Sequence, residues 1–145
     1  YEYVTQPREI IFAENGDLFV QIGEEHQKYK PYKKTKYNMF AFGIDGKYVY
    51  KDIAGSNFTF NNSTFSDASD SSKLKHGYIK VGSKTDLFKI GYEDSSYISD
   101  TSYTALYGVG EKFFCKREVT GPIVFDNSVF GDPSPRNKKE AYIIC

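Results

Sequence analysis

The sequence predicts an all-β fold: one domain over residues 1–145, a barrel or β-trefoil-like, with a β-sandwich as the alternative. Three observations predict it. Tyr and Phe supply 25 residues and Ile and Val 19, against only four Leu and six Ala. β-Branched and aromatic side chains fit a pleated, half-buried surface, whereas helices draw on Ala and Leu because these lose little freedom there. Short apolar runs recur every 10–14 residues or so, separated by Gly-bearing turns. Finally, no segment sustains a 3.6-residue apolar period over a dozen residues.

The hairpins are the clearest local features. Ile10–Phe12 and Leu18–Ile22 flank Asn15-Gly16, and Met39–Ile44 and Tyr48–Ile53 flank Asp45-Gly46. Both dipeptides accept the positive φ that a tight hairpin turn demands. Further strands are expected at Asn57–Phe60, Tyr78–Val81, Leu87–Tyr92, Tyr103–Tyr107, Lys112–Lys116, Ile123–Phe125 and Tyr142–Cys145. Phe40, Phe42 and Ile44 alternate onto one face, as do Phe88, Ile90 and Tyr92. Three hairpin units, near 10–22, 39–53 and 78–92, are the basis for the trefoil. An immunoglobulin-type sandwich is disfavoured because the chain has no Trp and its two cysteines are close in sequence. Three stretches read as loops: 24–36, the polar 66–75, and 131–140, whose Pro133 and Pro135 bar ladder hydrogen bonds.

Composition also excludes function classes. Nineteen basic and nineteen acidic side chains leave no net charge. That argues against a dedicated nucleic-acid or anionic-membrane binder. No run approaches 18 apolar residues, so no membrane-spanning helix is expected. The sequence starts at Tyr1 instead of Met, which implies a processed start with any signal peptide outside view. Cys115 and Cys145 are expected to form a disulfide, with the AYIIC strand pairing beside Phe113–Cys115. Such a bridge closes a loop of about 31 residues and adds roughly 3–4 kcal/mol in chain-entropy terms. Overlapping glycosylation sequons at Asn57, Asn61 and Asn62 run into a Ser/Asp-rich stretch. Together they point to a secreted or cell-surface glycoprotein.

Catalytic motifs are lacking. His26 and His76 sit in no zinc spacing, and Asp67, Asp70, Glu93 and Asp94 do not match a calcium loop. No phosphate loop, nucleophile elbow or paired-cysteine motif is present, so neither metal nor cofactor is implied. A non-enzymatic chain is expected. Two groups of residues suit binding. Between His26 and Tyr37, five lysines alternate with three tyrosines. Tyr29, Tyr32, Lys33, Lys34 and Lys36 there would hold a polyanion, ammonium groups taking phosphate or sulfate while the rings stack. Tyr97, Tyr103 and Tyr107 lie among Ser, Thr and Asp, and amphipathic rings beside hydroxyls suit carbohydrate.

Two segments, FAFGIDGKYVY at Phe40–Tyr50 and DLFKIGYEDSSYIS at Asp86–Ser99, resemble the short aromatic, Asp-Gly-turned units of yeast cell-wall mannoproteins. The preceding GYIKVGSKTDLFKI is similar too. The resemblance covers about a third of the chain. It implies a secreted, glycosylated, non-catalytic domain attached to a glucan wall, although the long Ser/Thr-rich stalk and the hydrophobic C-terminal anchor signal are not within these residues. It assigns no site residue. The leading expectation is therefore a secreted or surface β module, structural or glycan-associated, with a polysaccharide or surface protein as partner. The alternative is a secreted toxin or effector that binds a host protein or polyanion through loop 26–37.

Overall fold

The computed structural model of the protein describes residues 8–29, 37–53, 57–66, 73–110 and 112–144. In chain order the first strands are β1 (Arg8–Phe12), β2 (Asp17–Glu24), β3 (Lys28–Tyr29), β4 (Met39–Ile44), β5 (Lys47–Asp52) and β6 (Phe58–Thr59). A helical turn, α1 (Asn62–Phe65), then leads to β7 (His76–Ser83). The second series runs β8 (Phe88–Tyr92), β9 (Ser96–Tyr97), β10 (Tyr103–Val109), β11 (Lys112–Val119), β12 (Ile123–Val124), α2 (Asn127–Phe130) and β13 (Glu140–Ile144). The all-β expectation holds, and every expected strand is present. The Asp45-Gly46 turn has positive φ at both residues, 54° and 82°, as its chemistry requires.

The described residues divide into two compact units, one within Phe19–Val81 and the other from Arg8–Leu18 with the chain from Gly82 onward. The first unit orders its strands β5-β4-β7-β2, and the second β1-β11-β10-β13-β8. Neither run closes on itself, so the expected barrel or trefoil is not what these strands make. The reason lies in the short strands. β3 pairs with β6 and β9 with β12 as separate two-residue ribbons. They cover one face of each sheet and do not extend it.

The two units share one plan. In each, the second and third strands of a four-strand series, β4 and β5 in β2-β4-β5-β7 or β10 and β11 in β8-β10-β11-β13, form a hairpin on one side of the fourth, β7 or β13. The ribbon is anchored identically in both. His26 and Asp94 each adopt φ 74°. Their amides donate to the carbonyls of Phe60 and Phe125 at 2.7 and 2.8 Å. Phe58-Thr59-Phe60-Asn61-Asn62-Ser63-Thr64-Phe65 then matches Ile123-Val124-Phe125-Asp126-Asn127-Ser128-Val129-Phe130. Asn61 caps α1 by accepting from the Thr64 amide at 2.8 Å, and Asp126 caps α2 from Val129 at 3.0 Å. The repeat in this chain is thus twofold and not the threefold one that a trefoil needs.

Each ribbon seals an aromatic core. Phe42 and Phe65 lie 5.4 Å apart in the first unit, and their counterparts Tyr107 and Phe130 lie 5.3 Å apart in the second. The Phe60–Phe65 and Phe125–Phe130 pairs are stacked at 5.6 and 5.5 Å. A lysine precedes the central strand in both, Lys75 and Lys139, buried to 4% and 3% exposure. Their ammonium groups are neutralised by Glu25 at 3.9 Å and Asp132 at 2.6 Å, since a buried cation persists only when paired.

The expected disulfide is corrected. β13 pairs with β10 and not with β11: Leu106 faces Cys115 on one side and Tyr142 on the other. Cys115 and Tyr142 are thus two strands apart, about 10 Å, so the strand pairing on which the expected bridge rested is absent. Cys115 is a free, buried thiol, and Cys145 lies outside the described residues. Burial pushes the Cys115 pKa up to about 12, with Arg117 opposing only in part. The thiol should therefore resist a maleimide in the native protein at pH 8, where an exposed cysteine is substantially thiolate, and react once urea is added. Rapid native labelling at Cys115 would contradict this packing.

Candidate functional site

The second unit presents its polar chemistry at β8, an edge strand whose hydrogen-bonded neighbour is β13. A register shift between Ala141 and Tyr142 sets Lys89 opposite Tyr142 and Tyr92 opposite Glu140. Such a bulge re-aims side chains, and here it gathers Lys89, Tyr92, Glu140 and Tyr142 together. The Lys89 ammonium donates to the Glu140 carboxylate at 3.2 Å and to the Tyr92 hydroxyl at 3.2 Å. The Tyr142 hydroxyl donates to the other Glu140 oxygen at 2.9 Å. Lys89 and Lys138 both lie over the Tyr92 ring, at 4.2 and 4.6 Å from its centroid. Tyr92 is 46% exposed, and Phe88 on the same strand is 65% exposed. An aromatic ring flanked by cations is thereby open to solvent.

Behind this cluster the sheet carries a row of rings. Phe12 contacts Phe113 at 5.8 Å, and Phe113 meets Tyr142 edge-on at 5.8 Å. The residue between them is Gly108, which faces both Phe113 and Glu140 in the register. The first unit builds the same pair, Tyr48 against Tyr78 at 5.5 Å, across Gly43. The polar group beyond differs: His76 replaces Glu140, its Nδ1 3.5 Å from the Tyr78 hydroxyl.

The hydrogen bonds tune the charges. Glu140 is held below the usual carboxylate range by the bond from Tyr142 and then by Lys89, against the opposing effect of burial. Lys89 is raised by its bonds to Tyr92 and Glu140, while Tyr142 is raised by burial and by Glu140. A carboxyl with a depressed pKa adds stability above its ordinary value and loses it as pH falls through the depressed one. A raised lysine keeps its contribution until pH climbs through its own raised value. The cluster is accordingly intact from the acid carboxylate range up to the alkaline lysine range.

The residues singled out in the sequence fare differently. Tyr29, Tyr103 and Tyr107 are buried, at 2%, 4% and 0% exposure. The Tyr103 hydroxyl donates to the Gly121 carbonyl at 2.7 Å, and that of Tyr107 to Asn127 Oδ1 at 2.7 Å. All three are core residues, and the tips of Tyr103 and Tyr107 are satisfied. Tyr97 is half-buried, edge-on to Tyr103 at 4.9 Å. Tyr32, Lys33, Lys34 and Lys36 lie outside the described residues. Asn57 and Asn62 are exposed, whereas Asn61 is partly buried as the α1 cap. Among the described residues no His, Cys, Asp or Glu group is placed to hold a metal ion. Elsewhere an open concavity lies along Lys116, Val119, Thr120, Pro122, Ile123 and Val124. It brings no titratable pair together.

Sequence reasoning placed lysine–tyrosine chemistry in 26–37 and overlooked it at 89–92 and 138–142. One signal was available. Aligning the two repeats sets Lys89, Tyr92, Lys138 and Glu140 against Gln21, Glu24, Leu74 and His76, while neighbouring framework positions keep Lys75 and Lys139, Tyr78 and Tyr142. The cluster is where the copies diverge. No protein-family model matches the chain, and neither a characterised protein nor a solved structure is significantly similar to it.

Proposed function

We propose that this chain is a secreted or cell-surface β module that binds polysaccharide without catalysing a reaction, and that the β8 edge is where it does so. The observation that carries the reading is the exposed Tyr92 ring, held in place by Lys89 and Lys138 beside the bonded Glu140–Tyr142 pair. A pyranose offers an apolar C–H face to a ring and hydroxyls to neighbouring donors and acceptors. A carboxylate and two ammonium groups within reach of one half-exposed tyrosine match both demands. Asn57 and Asn62 support the extracellular part, since an oligosaccharide on either would extend into solvent without displacing packed atoms. The resemblance of Phe40–Tyr50 and Asp86–Ser99 to cell-wall mannoprotein units fits the same setting. The expected Cys115–Cys145 bridge is no longer part of that case.

A glycan array read with wild type and Tyr92→Ala tests the proposal. Wild type should be retained by at least one class of polysaccharide. The variant, losing one half-exposed ring, should bind about tenfold more weakly with its melting temperature nearly unchanged. Equal retention of both proteins would remove Tyr92 from the site, and no retention on any polysaccharide would end the reading itself.

A further inference from the structure

We propose that the polysaccharide taken at the β8 edge is an acidic one, its carboxylate or sulfate groups held by Lys138 and Lys89 beside Tyr92. This inference rests on the glycan-binding reading above and narrows its ligand class. The charge count at the site leads there. Two ammonium groups stand over one ring, against a single carboxylate, Glu140. That carboxylate is already engaged twice, by Lys89 and by the Tyr142 hydroxyl. Lys138 is exposed and, among the described residues, has no carboxylate within ion-pair distance. An ammonium has three donors: Lys89 uses two on Glu140 and Tyr92, whereas Lys138 is exposed with its ammonium over the Tyr92 ring. Among the side chains in contact there, Lys89, Lys138 and Glu140, the charges sum to one net positive beside an apolar ring face.

The internal duplication shows that these cations are not part of the scaffold. The corresponding positions of the first unit carry Gln21 for Lys89 and Leu74 for Lys138, yet that unit forms the same strands, ribbon and aromatic pair. Scaffold lysines look different: Lys75 and Lys139 occur in both copies, are buried, and are neutralised by Glu25 and Asp132. A neutral glucan would have no use for a cation placed over the ring that it stacks against. An acidic chain has one, because each uronate or sulfate ester offers several acceptor oxygens beside its pyranose ring. A lysine pair tolerates either anion, as it lacks the planar fork with which arginine selects geometry.

The test uses the whole protein on immobilised polygalacturonate, dextran sulfate, unsubstituted dextran, β-glucan and mannan, at low and at physiological salt. Retention should favour the acidic polymers and weaken as salt rises. The polygalacturonate and dextran sulfate arms distinguish a carboxylate from a sulfate ligand, and binding to either supports the inference. Lys138→Ala should reduce binding to the acidic polymers by about three- to fivefold, the scale of one exposed ion pair, and leave neutral polymers unaffected. Glu140→Gln should strengthen acidic binding by removing the competing carboxylate. Lys47→Ala, on β5 of the other unit, controls for general charge and should change nothing. Neutral polymers retained as strongly as acidic ones, or equal losses from Lys47→Ala and Lys138→Ala, would overturn the inference while leaving the glycan reading intact. Retention on none of the five overturns both.

Discussion

Gly108→Ala should unfold much of the protein near physiological temperature. A Cβ built on Gly108 collides with the Lys112 carbonyl oxygen and comes to 2.7 Å from Phe113 Cα. Both are backbone atoms of the paired strand β11, so no side-chain rotation relieves the overlap. Either the β10–β11 hairpin opens or the strands part locally, and overpacking of this kind costs about 3 kcal/mol or more. For a chain of this size that amounts to a fall in melting temperature on the order of 10 °C. Gly43→Ala should behave alike, since its Cβ collides with the Lys47 carbonyl oxygen and lies 2.9 Å from Tyr48 Cα. Gly110→Ala serves as the contrast. It sits at φ 66° with open space around its Cβ, so only the left-handed backbone penalty of roughly 1–2 kcal/mol applies. Urea melts of the three variants should rank Gly110→Ala as the mildest. Should Gly108→Ala prove no worse than Gly110→Ala, the close strand approach at Gly108 is not real.

The second large effect is expected at Phe60 and Phe125. Each belongs to the ribbon covering its unit, and each is essentially inaccessible, at 1% and 0% exposure. Phe60 contacts Phe42, Phe58, Phe65 and Tyr29 at 5.1–6.3 Å between ring centres. Truncation to Ala removes the ring and leaves a cavity that rigid aromatic neighbours fill poorly. The expected cost is 3–5 kcal/mol for either residue, as for buried phenylalanines generally. Phe60→Leu should recover a good part of it because some volume returns. Thermal melts followed by tyrosine near-ultraviolet circular dichroism would report the loss directly. A cost below about 1 kcal/mol for Phe60→Ala would mean that the ribbon is not holding the core.

Much of the fold was legible in the sequence, for reasons tied to particular residues. Gly16 and Asp45-Gly46 marked turns because few other residues accept the backbone angles involved, and phenylalanine marked strands because it fits a pleated, half-buried surface. The two-residue strands β3 and β9 and the four-residue turns α1 and α2 were too short for any periodicity to register. The duplication was masked by unequal loops. Gly23 and Gly91 are 68 residues apart, Phe60 and Phe125 are 65 apart, and Lys75 and Lys139 are 64 apart, so no single offset aligns the copies. At the candidate site the difficulty was chemical. Tyrosine is at home both in a core with its hydroxyl bonded and on a wet surface. Tyr103 and Tyr107 took the first course and Tyr92 the second. The choice depends on which face of which strand the pairing presents, and at β8 a bulge decides that.

Two copies of one strand plan on a single chain create a folding hazard. β4 and β10 occupy equivalent places, as do β7 and β13, so each could in principle be captured by the other unit during folding, and such exchanges are the usual kinetic traps of repeat proteins. The copies have diverged in side-chain volume in a manner that penalises the exchange. The first unit places Phe40 where the second has Ala105, and Gly77 where the second has Ala141. A Cβ at Gly77 would lie 2.5 Å from the Phe60 ring. β13 seated in the first unit would therefore drive Ala141 into that ring, and β10 in place of β4 would leave the Phe40 site hollow. Mismatched sizes thus label each strand for its own unit, so the divergence between the copies keeps the folding chain in register.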